Sequence, residues 1–148
     1  MDLEQQNINA ITGYFKAGCK NRGEERIGIE TEHFVLNNRG EPITYGILDA
    51  IMQKQVRKGD HVEEEDGHFL GYYNEDFSIT LEPAAQLEIS VMPQQCIADV
   101  ERILARFYEE YGEALYNEGY HMVHAGYNPV RRAGELALIP KKRYEYMD

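Results

Sequence analysis

The chain has 148 residues, enough for one domain with a real core, and its 43% hydrophobic and 28% charged content excludes wholesale disorder. Its formal net charge of -11, from 26 acidic and 15 basic residues, repels phosphate backbones and disfavours nucleic acid as a partner, although a nucleotide can bind where metal ions bridge the negative charges. Two cysteines, Cys19 and Cys96, make no disulfide framework, the polar start MDLEQQNINA is unlike a signal peptide, and no apolar run approaches the roughly 20 residues of a membrane span, so a cytoplasmic, membrane-free setting is expected.

Leu3, Ile8, Ile11 and Phe15 recur at near-helical spacing, which predicts a short amphipathic helix from Asp2 to about Phe15, stopped near Gly18. CKNRGEER reads as a loop, RIGIETEHFVL (26–36) as a strand and NNRGEP (37–42) as a turn. Thr44 can cap a following helix with an apolar stripe of Ile47, Leu48, Ile51 and Met52. HVEEEDG (61–67) is expected as an acidic, solvent-facing run. HFLGYY, a short NED turn and FSITLE predict a β-hairpin leading into ITLEPAAQLEIS (79–90), which alternates as one strand. A long helix is expected from about Gln94 to Asn117. Its stripe is Ile97, Val100, Ile103, Leu104, Phe107, Tyr111 and Leu115, with Gly119 as the stop. HMVHAGYNP (121–129) predicts a last strand, and the basic remainder reads as loop. No repeat or linker interrupts the chain. Residues 1–148 are therefore expected as a single α+β domain, a mostly antiparallel sheet with helices on one face.

The alternation of residues 79–90 sets Ile79, Leu81, Ala85, Leu87 and Ile89 against Thr80, Glu82, Gln86, Glu88 and Ser90. In IGIETEHF, Glu30 and Glu32 likewise share one face, opposite Ile27 and Ile29. Side chains two apart on a strand lie on the same side, roughly 7 Å apart. If the two segments are neighbours in one sheet, four carboxylates meet, and each raises the others' pKa unless a counter-charge is present. A hard divalent cation such as Mg²⁺ removes that cost and offers its remaining positions to phosphate oxygens. The ordinary alternative is a solvated sheet face. Against it, glutamate is not a favoured strand residue, and these strands carry no lysine among their acids. At the other end of the chain Arg131, Arg132, Lys141, Lys142 and Arg143 form a basic group, either a solvated loop or an anion-binding one. His61, His68, His121 and His124 fit no metal-binding pattern, and His33, opposite Glu32 in the alternation, is expected to be structural.

IGIETEHFVL followed by SITLEPAAQLEIS resembles the glutamate–cysteine ligase family, the ATP-dependent enzymes that make γ-glutamylcysteine, and most of all the group shared by plants and many bacteria. That group carries a G-[IT]-E-x-E strand, an LEPGGQxELS strand, a long helix, a strand ending in G-x-x-P and a PKxRY segment. Here these are Gly28 to Glu32, Leu81 to Ser90, the helix from Gln94, HAGYNP, and Pro140 to Tyr144, so the likeness covers about Arg26 to Asp148. The GG pair is Ala84-Ala85, and the Trp often found after G-x-x-P is Val130. The resemblance implies part of the glutamine synthetase-like catalytic fold, with Glu30, Glu32, Glu82 and Glu88 as Mg²⁺ ligands. It implies that Gln86 hydrogen-bonds a substrate or a metal-bound water. Arg143, by its place in PKxRY, and Arg132 second, are expected to hold a substrate carboxylate or phosphate. ATP, glutamate and cysteine are the expected substrates. Family members run to several hundred residues, so the chain is expected to be the N-terminal portion of a longer catalytic domain, inactive alone. A ligase for a different amine and a non-catalytic binding or assembly module are the alternatives, and oligomerisation is left open.

Overall fold

The computed structural model describes residues 2–146. In chain order the elements are α1 (Leu3–Ala17), β1 (Ile27–Asn37), α2 (Tyr45–Gln53), β2 (His61–Glu65), β3 (His68–Tyr73), β4 (Phe77–Glu82), β5 (Gln86–Gln94), α3 (Ile97–Asn117), β6 (Tyr120–Val123) and a short α4 (Lys142–Glu145). The strands form one six-stranded sheet in the order β2-β3-β4-β5-β1-β6, and every neighbouring pair is antiparallel. The molecule is α+β, with an open antiparallel sheet.

Residues 79–90 do not make one strand. They make two, β4 and β5, joined by a tight turn at Pro83–Ala85. Pro83 has no N–H to give to a ladder. Ala84 and Ala85 then take left-handed backbone, φ 64° and 54°, and reverse the chain. The alternation survives because the three-residue turn sets Glu82 opposite Gln86, so the parity of the polar set passes through it. The acidic run 61–65 is exposed, as expected, yet it is a strand. Asp66 and Gly67, φ 51° and 78°, form the two-residue hairpin turn that pairs β2 with β3. β6 is shorter than HMVHAGYNP suggests, and α3 begins three residues later than expected, because Gln94 still belongs to β5.

One face of the sheet builds the core. Ile79 and Leu81 of β4, and Leu87, Ile89 and Val91 of β5, pack with Val100, Ile103, Phe107, Tyr111 and Leu115 of α3. Leu48, Ile51 and Met52 of α2 join the same cluster. Tyr72 and Tyr111 satisfy each other's hydroxyls at 3.0 Å inside it. Ile97, the first residue of the α3 stripe, is exposed instead. α1 is capped by Asp2, whose carboxylate accepts the Gln5 N–H at 2.8 Å, and it ends at Gly18, but it buries none of its residues.

Candidate functional site: the carboxylate face of the sheet

The polar set lies opposite the core on three adjacent strands. β1 supplies Glu30 and Glu32, β5 supplies Gln86, Glu88 and Ser90, and β4 supplies Ser78, Thr80 and Glu82. The register places Glu32 directly opposite Glu88, Glu30 opposite Ser90, Thr80 opposite Glu88, and Glu82 opposite Gln86. Directly opposed side chains stand about 5 Å apart at Cβ. Gly28 makes the approach of β1 possible: a Cβ there would sit 2.8 Å from the Val91 carbonyl oxygen, beside the irregularity between Ile27 and Ile29.

Glu88 occupies the middle strand. Thr80 Oγ1 donates to its Oε2 at 3.2 Å and Ser90 Oγ lies 3.2 Å from its Oε1. Ser90 Oγ is also 3.3 Å from Glu30 Oε1, so its single proton bridges two carboxylates in turn. Burial pushes the Glu88 carboxyl above its ordinary range, the charges of Glu82 and Glu32 add to the rise, and the two hydroxyls oppose it. Among the described residues no lysine or arginine pairs with Glu30, Glu32 or Glu88.

Glu82 is on the same face with a different environment. Tyr144 donates its hydroxyl at 2.6 Å, Arg143 Nη2 reaches both oxygens at 2.6 and 2.9 Å, and Lys141 Nζ stands at 3.3 Å. Burial acts to raise the Glu82 carboxyl, but the Tyr144 bond and the charges of Lys141 and Arg143 together outweigh it, and the group titrates below its usual range. Burial and the bond to Glu82 push Tyr144 up to about 12. The Arg143 guanidinium lies 4.9 Å from the centre of the Tyr144 ring, so the cluster is held by stacking as well as by charge.

Of the residues singled out in the sequence, the fold brings Glu30, Glu32, Glu82, Gln86, Glu88 and Arg143 to one side of the sheet. Arg132 is exposed and serves locally: its backbone N–H donates to Glu135 at 3.1 Å and caps the turn at Ala133–Glu135. Its neighbour Arg131 is the one that lines a cavity of about 520 Å³ shared with Gln86, Phe34 and Tyr127. Thr80 and Ser90 could have been picked out by their shared parity with the glutamates, and Tyr144 by its place beside Arg143. His33 is fully buried on the core side, with Nδ1 3.0 Å from the Leu87 carbonyl and Nε2 3.1 Å from the Tyr108 hydroxyl.

Among the described residues no three His, Cys, Asp or Glu side chains are grouped so as to enclose one ion. The donor set nevertheless fits a hard cation that takes one or two carboxylates and completes its shell with water or phosphate. Glu32 and Glu88 oppose each other as oxygen donors, without a cation from the protein, and Glu88 carries an electrostatic penalty that added positive charge would relieve. Glu82, already neutralised by Lys141 and Arg143, fits only if those two withdraw.

Fold and site together define a class: an open antiparallel α+β sheet that carries a set of acids on one face, with Arg143 and Lys141 at its margin. Residues 26–148 match Glutamate-cysteine ligase family 2, and the chain belongs to that family. It is 27% identical over 148 residues to the chloroplastic glutamate–cysteine ligase of Arabidopsis thaliana, covering 93% of this chain and 27% of that protein. It is 29% identical over 143 residues to chloroplastic glutamate–cysteine ligase A of Oryza sativa subsp. japonica, covering 93% and 28%. The enzyme of Solanum lycopersicum is 27% identical over 146 residues, covering 91% and 26%. The chain thus spans about a quarter of the length of these relatives.

Proposed function

We propose that the chain is part of an ATP-dependent carboxylate–amine ligase that joins the γ-carboxyl of glutamate to the amine of cysteine. In this reading its sheet face is where Mg²⁺ and the nucleotide phosphates meet. Family membership supports the reaction class, and the placement of Glu30, Glu32 and Glu88 on one uncovered face supports the role of this segment. The γ-phosphoryl group of ATP passes to the glutamate side chain and ADP leaves. The acceptor amine then attacks the acyl carbon, an amide forms, phosphate departs, and the amine gives up a proton. Glu30, Glu32 and Glu88 would hold Mg²⁺, which when bound supplies the positive charge that a triphosphate and a transferring phosphoryl group require.

The chain's own residues do the positioning. Thr80 and Ser90 fix the Glu88 carboxylate, so its oxygens need no rearrangement to accept a cation. Glu82 holds Arg143 and Lys141 at the margin of the face, where a guanidinium can receive a carboxylate or phosphate in two-pronged fashion. Gln86, next to Glu88 on the same face, can hydrogen-bond a substrate. The reading assigns to this chain a metal-bearing face and not a whole active site, given relatives about four times as long.

Nucleotide titration of the isotopically labelled chain, followed by NMR, tests this. MgATP is expected to shift the β1 and β5 amides around Glu32 and Glu88, and ATP with a chelator to leave them in place. Glu88→Gln is expected to weaken MgATP at least tenfold. ATP binding of equal strength with and without Mg²⁺, or no binding at this face, overturns the proposal.

A further inference from the structure

We infer that Lys141 and Arg143 are exchangeable counter-ions of Glu82. They hold its carboxylate until an oxyanion, a phosphate or a carboxylate, draws them off, so an oxyanion and a divalent cation at Glu82 favour each other's binding. The place of this exchange in catalysis rests on the ligase reading above; the exchange itself does not.

The segment that carries the two cations is fixed by contacts that do not involve them. Ile139 and Tyr144 are buried in the core cluster. Between them the Lys142 backbone N–H donates to Glu65 Oε2 at 2.8 Å, and Lys142 Nζ lies 3.0 Å from Asp66, so the segment is tied to the β2–β3 hairpin. Lys141 and Arg143 flank that tie and reach Glu82 with their side chains alone. Both line a cavity of about 230 Å³ shared with Glu63, Glu64 and Glu65, so open space adjoins the two side chains. Each can change partner by a change of rotamer while the backbone stays in place.

The present pairing leaves a better one available. Arg143 serves Glu82 through one nitrogen: Nη2 reaches both carboxylate oxygens, at 2.6 and 2.9 Å, and the Tyr144 hydroxyl at 2.7 Å. The stronger arrangement for a guanidinium is two parallel N–H bonds from two nitrogens to two oxygens. An oxyanion arriving from solvent can take it, because the Arg143 side chain is 54% exposed against 15% for Glu82.

Charge decides what accompanies the exchange. A divalent cation that displaces Lys141 and Arg143 from Glu82 trades two positive charges for two, and gains nothing until the displaced pair has an anion of its own. Conversely, an oxyanion that takes the pair leaves Glu82 half-buried and uncompensated. Glu82 and Glu88 are diagonal neighbours on β4 and β5, and the Glu82 charge is the largest of those that raise the Glu88 carboxyl. A divalent cation at Glu82 relieves both acids. Each ligand therefore removes the cost of the other, and the coupling is reciprocal.

The test uses the 148-residue chain labelled with carbon-13 and nitrogen-15. Mg²⁺ is read at the side-chain carboxyl carbons of Glu82 and Glu88, and the oxyanion at the Arg143 side-chain N–H. Mg²⁺ alone is expected to shift Glu88 at concentrations that leave Glu82 unmoved. Methylphosphonate and L-glutamate then stand for the phosphate and carboxylate forms of the oxyanion, and the probe that acts identifies the source. A saturating oxyanion should raise the Mg²⁺ affinity read at Glu82 at least fivefold, and Mg²⁺ should raise the oxyanion affinity read at Arg143 by the same factor. The double variant Lys141→Met, Arg143→Met should bind Mg²⁺ at Glu82 at least tenfold more tightly than the parent chain with no oxyanion present. The double variant Arg132→Met, Lys142→Met removes the same charge from the same part of the chain and should not. Core methyl signals of Ile79, Leu81 and Leu87 report that the fold is kept, and the parent-chain titrations decide alone if a variant does not fold. Mg²⁺ reaching Glu82 and Glu88 equally without an oxyanion, no coupling with either probe, or equal gains in the two double variants overturns the inference. The MgATP titration separates the two claims. Exchange at Glu82 without a Mg²⁺-dependent nucleotide response at Glu32 and Glu88 leaves the exchange standing and removes the ligase reading, and the reverse removes the exchange alone.

Discussion

Two residues on opposite sides of the sheet show how one fold treats polar groups in two ways. Glu82 keeps its charge because Tyr144, Arg143 and Lys141 converge on it, and Tyr144 is itself buried. Tyr144→Phe removes a hydrogen bond to a charged acceptor and should lower stability by about 2 kcal/mol in urea unfolding at neutral pH. His33 keeps no charge. A carbonyl can only accept, so Nδ1 carries the proton toward Leu87 and Nε2 accepts from Tyr108. Burial holds the His33 pKa below its ordinary value of 6.5; the Leu87 bond opposes this and His124, its ring 4.5 Å away, assists. The unfolded chain therefore takes up this proton first as pH falls. The stability that depends on a neutral His33 is complete above 6.5 and is lost as pH drops through that value toward the lower folded pKa. The urea midpoint should fall between pH 7.5 and 5.5, and the His33→Gln variant should show a flatter profile across the same window.

At the scale of elements, what the sequence made legible was periodicity, and what it hid was the point where a chain turns while keeping its period. Glu30, Glu32, Glu82 and Glu88 are assigned to one face correctly because a parity of two passes unchanged through the turn at Pro83–Ala85. That same persistence disguises β4 and β5 as one strand. β2 was obscured by three consecutive glutamates, although Asp66-Gly67 carried the hairpin signal. The resemblance puts Arg132 forward as second to Arg143, but Arg131 is the one that lines the cavity, because the Arg132 backbone is taken up in the local turn at Ala133–Glu135. The turn between β4 and β5 also stores strain, because Ala84 sits at φ 64°, ψ 26°, where a Cβ is disfavoured. Ala84→Gly should raise stability by about 0.5–1 kcal/mol, the relief exceeding the extra freedom glycine gives the unfolded chain. Ala85, at φ 54°, is buried, so Ala85→Gly loses a packed methyl group and should gain less. Thermal and urea unfolding of the two variants check the order.

For the whole molecule, the arrangement of charge and apolar surface separates what sustains the fold from what is added to it. The core is closed by α2, α3 and the sheet, and Ile139 and Tyr144 of the C-terminal segment reach into it, so the family-matching region supplies every residue of the buried cluster. α1 stands apart. Leu3, Ile8, Ile11 and Phe15 recur at helical spacing, as the sequence indicates, but they stay exposed, because the spacing reports a helix and cannot report whether a surface exists to cover it. A helix of 15 residues is close to the length at which isolated helices are marginal in water. Its sequence nonetheless supplies a side-chain cap at Asp2, an acid at Glu4 in the first turn and Lys16 in the last, all of which favour the helix locally. Stability that comes from local terms is not shared with the sheet. Removing residues 2–18 should therefore change the urea unfolding free energy of the remaining chain by no more than about 0.5 kcal/mol, the scale of a surface alteration. Far-ultraviolet circular dichroism of the shortened chain should lose helical signal while the sheet and the α3 contribution persist. A destabilisation of several times that size would mean that α1 covers core surface in solution, with exposed Ile27, Ile29 and Ile97 the apolar side chains it would have to reach.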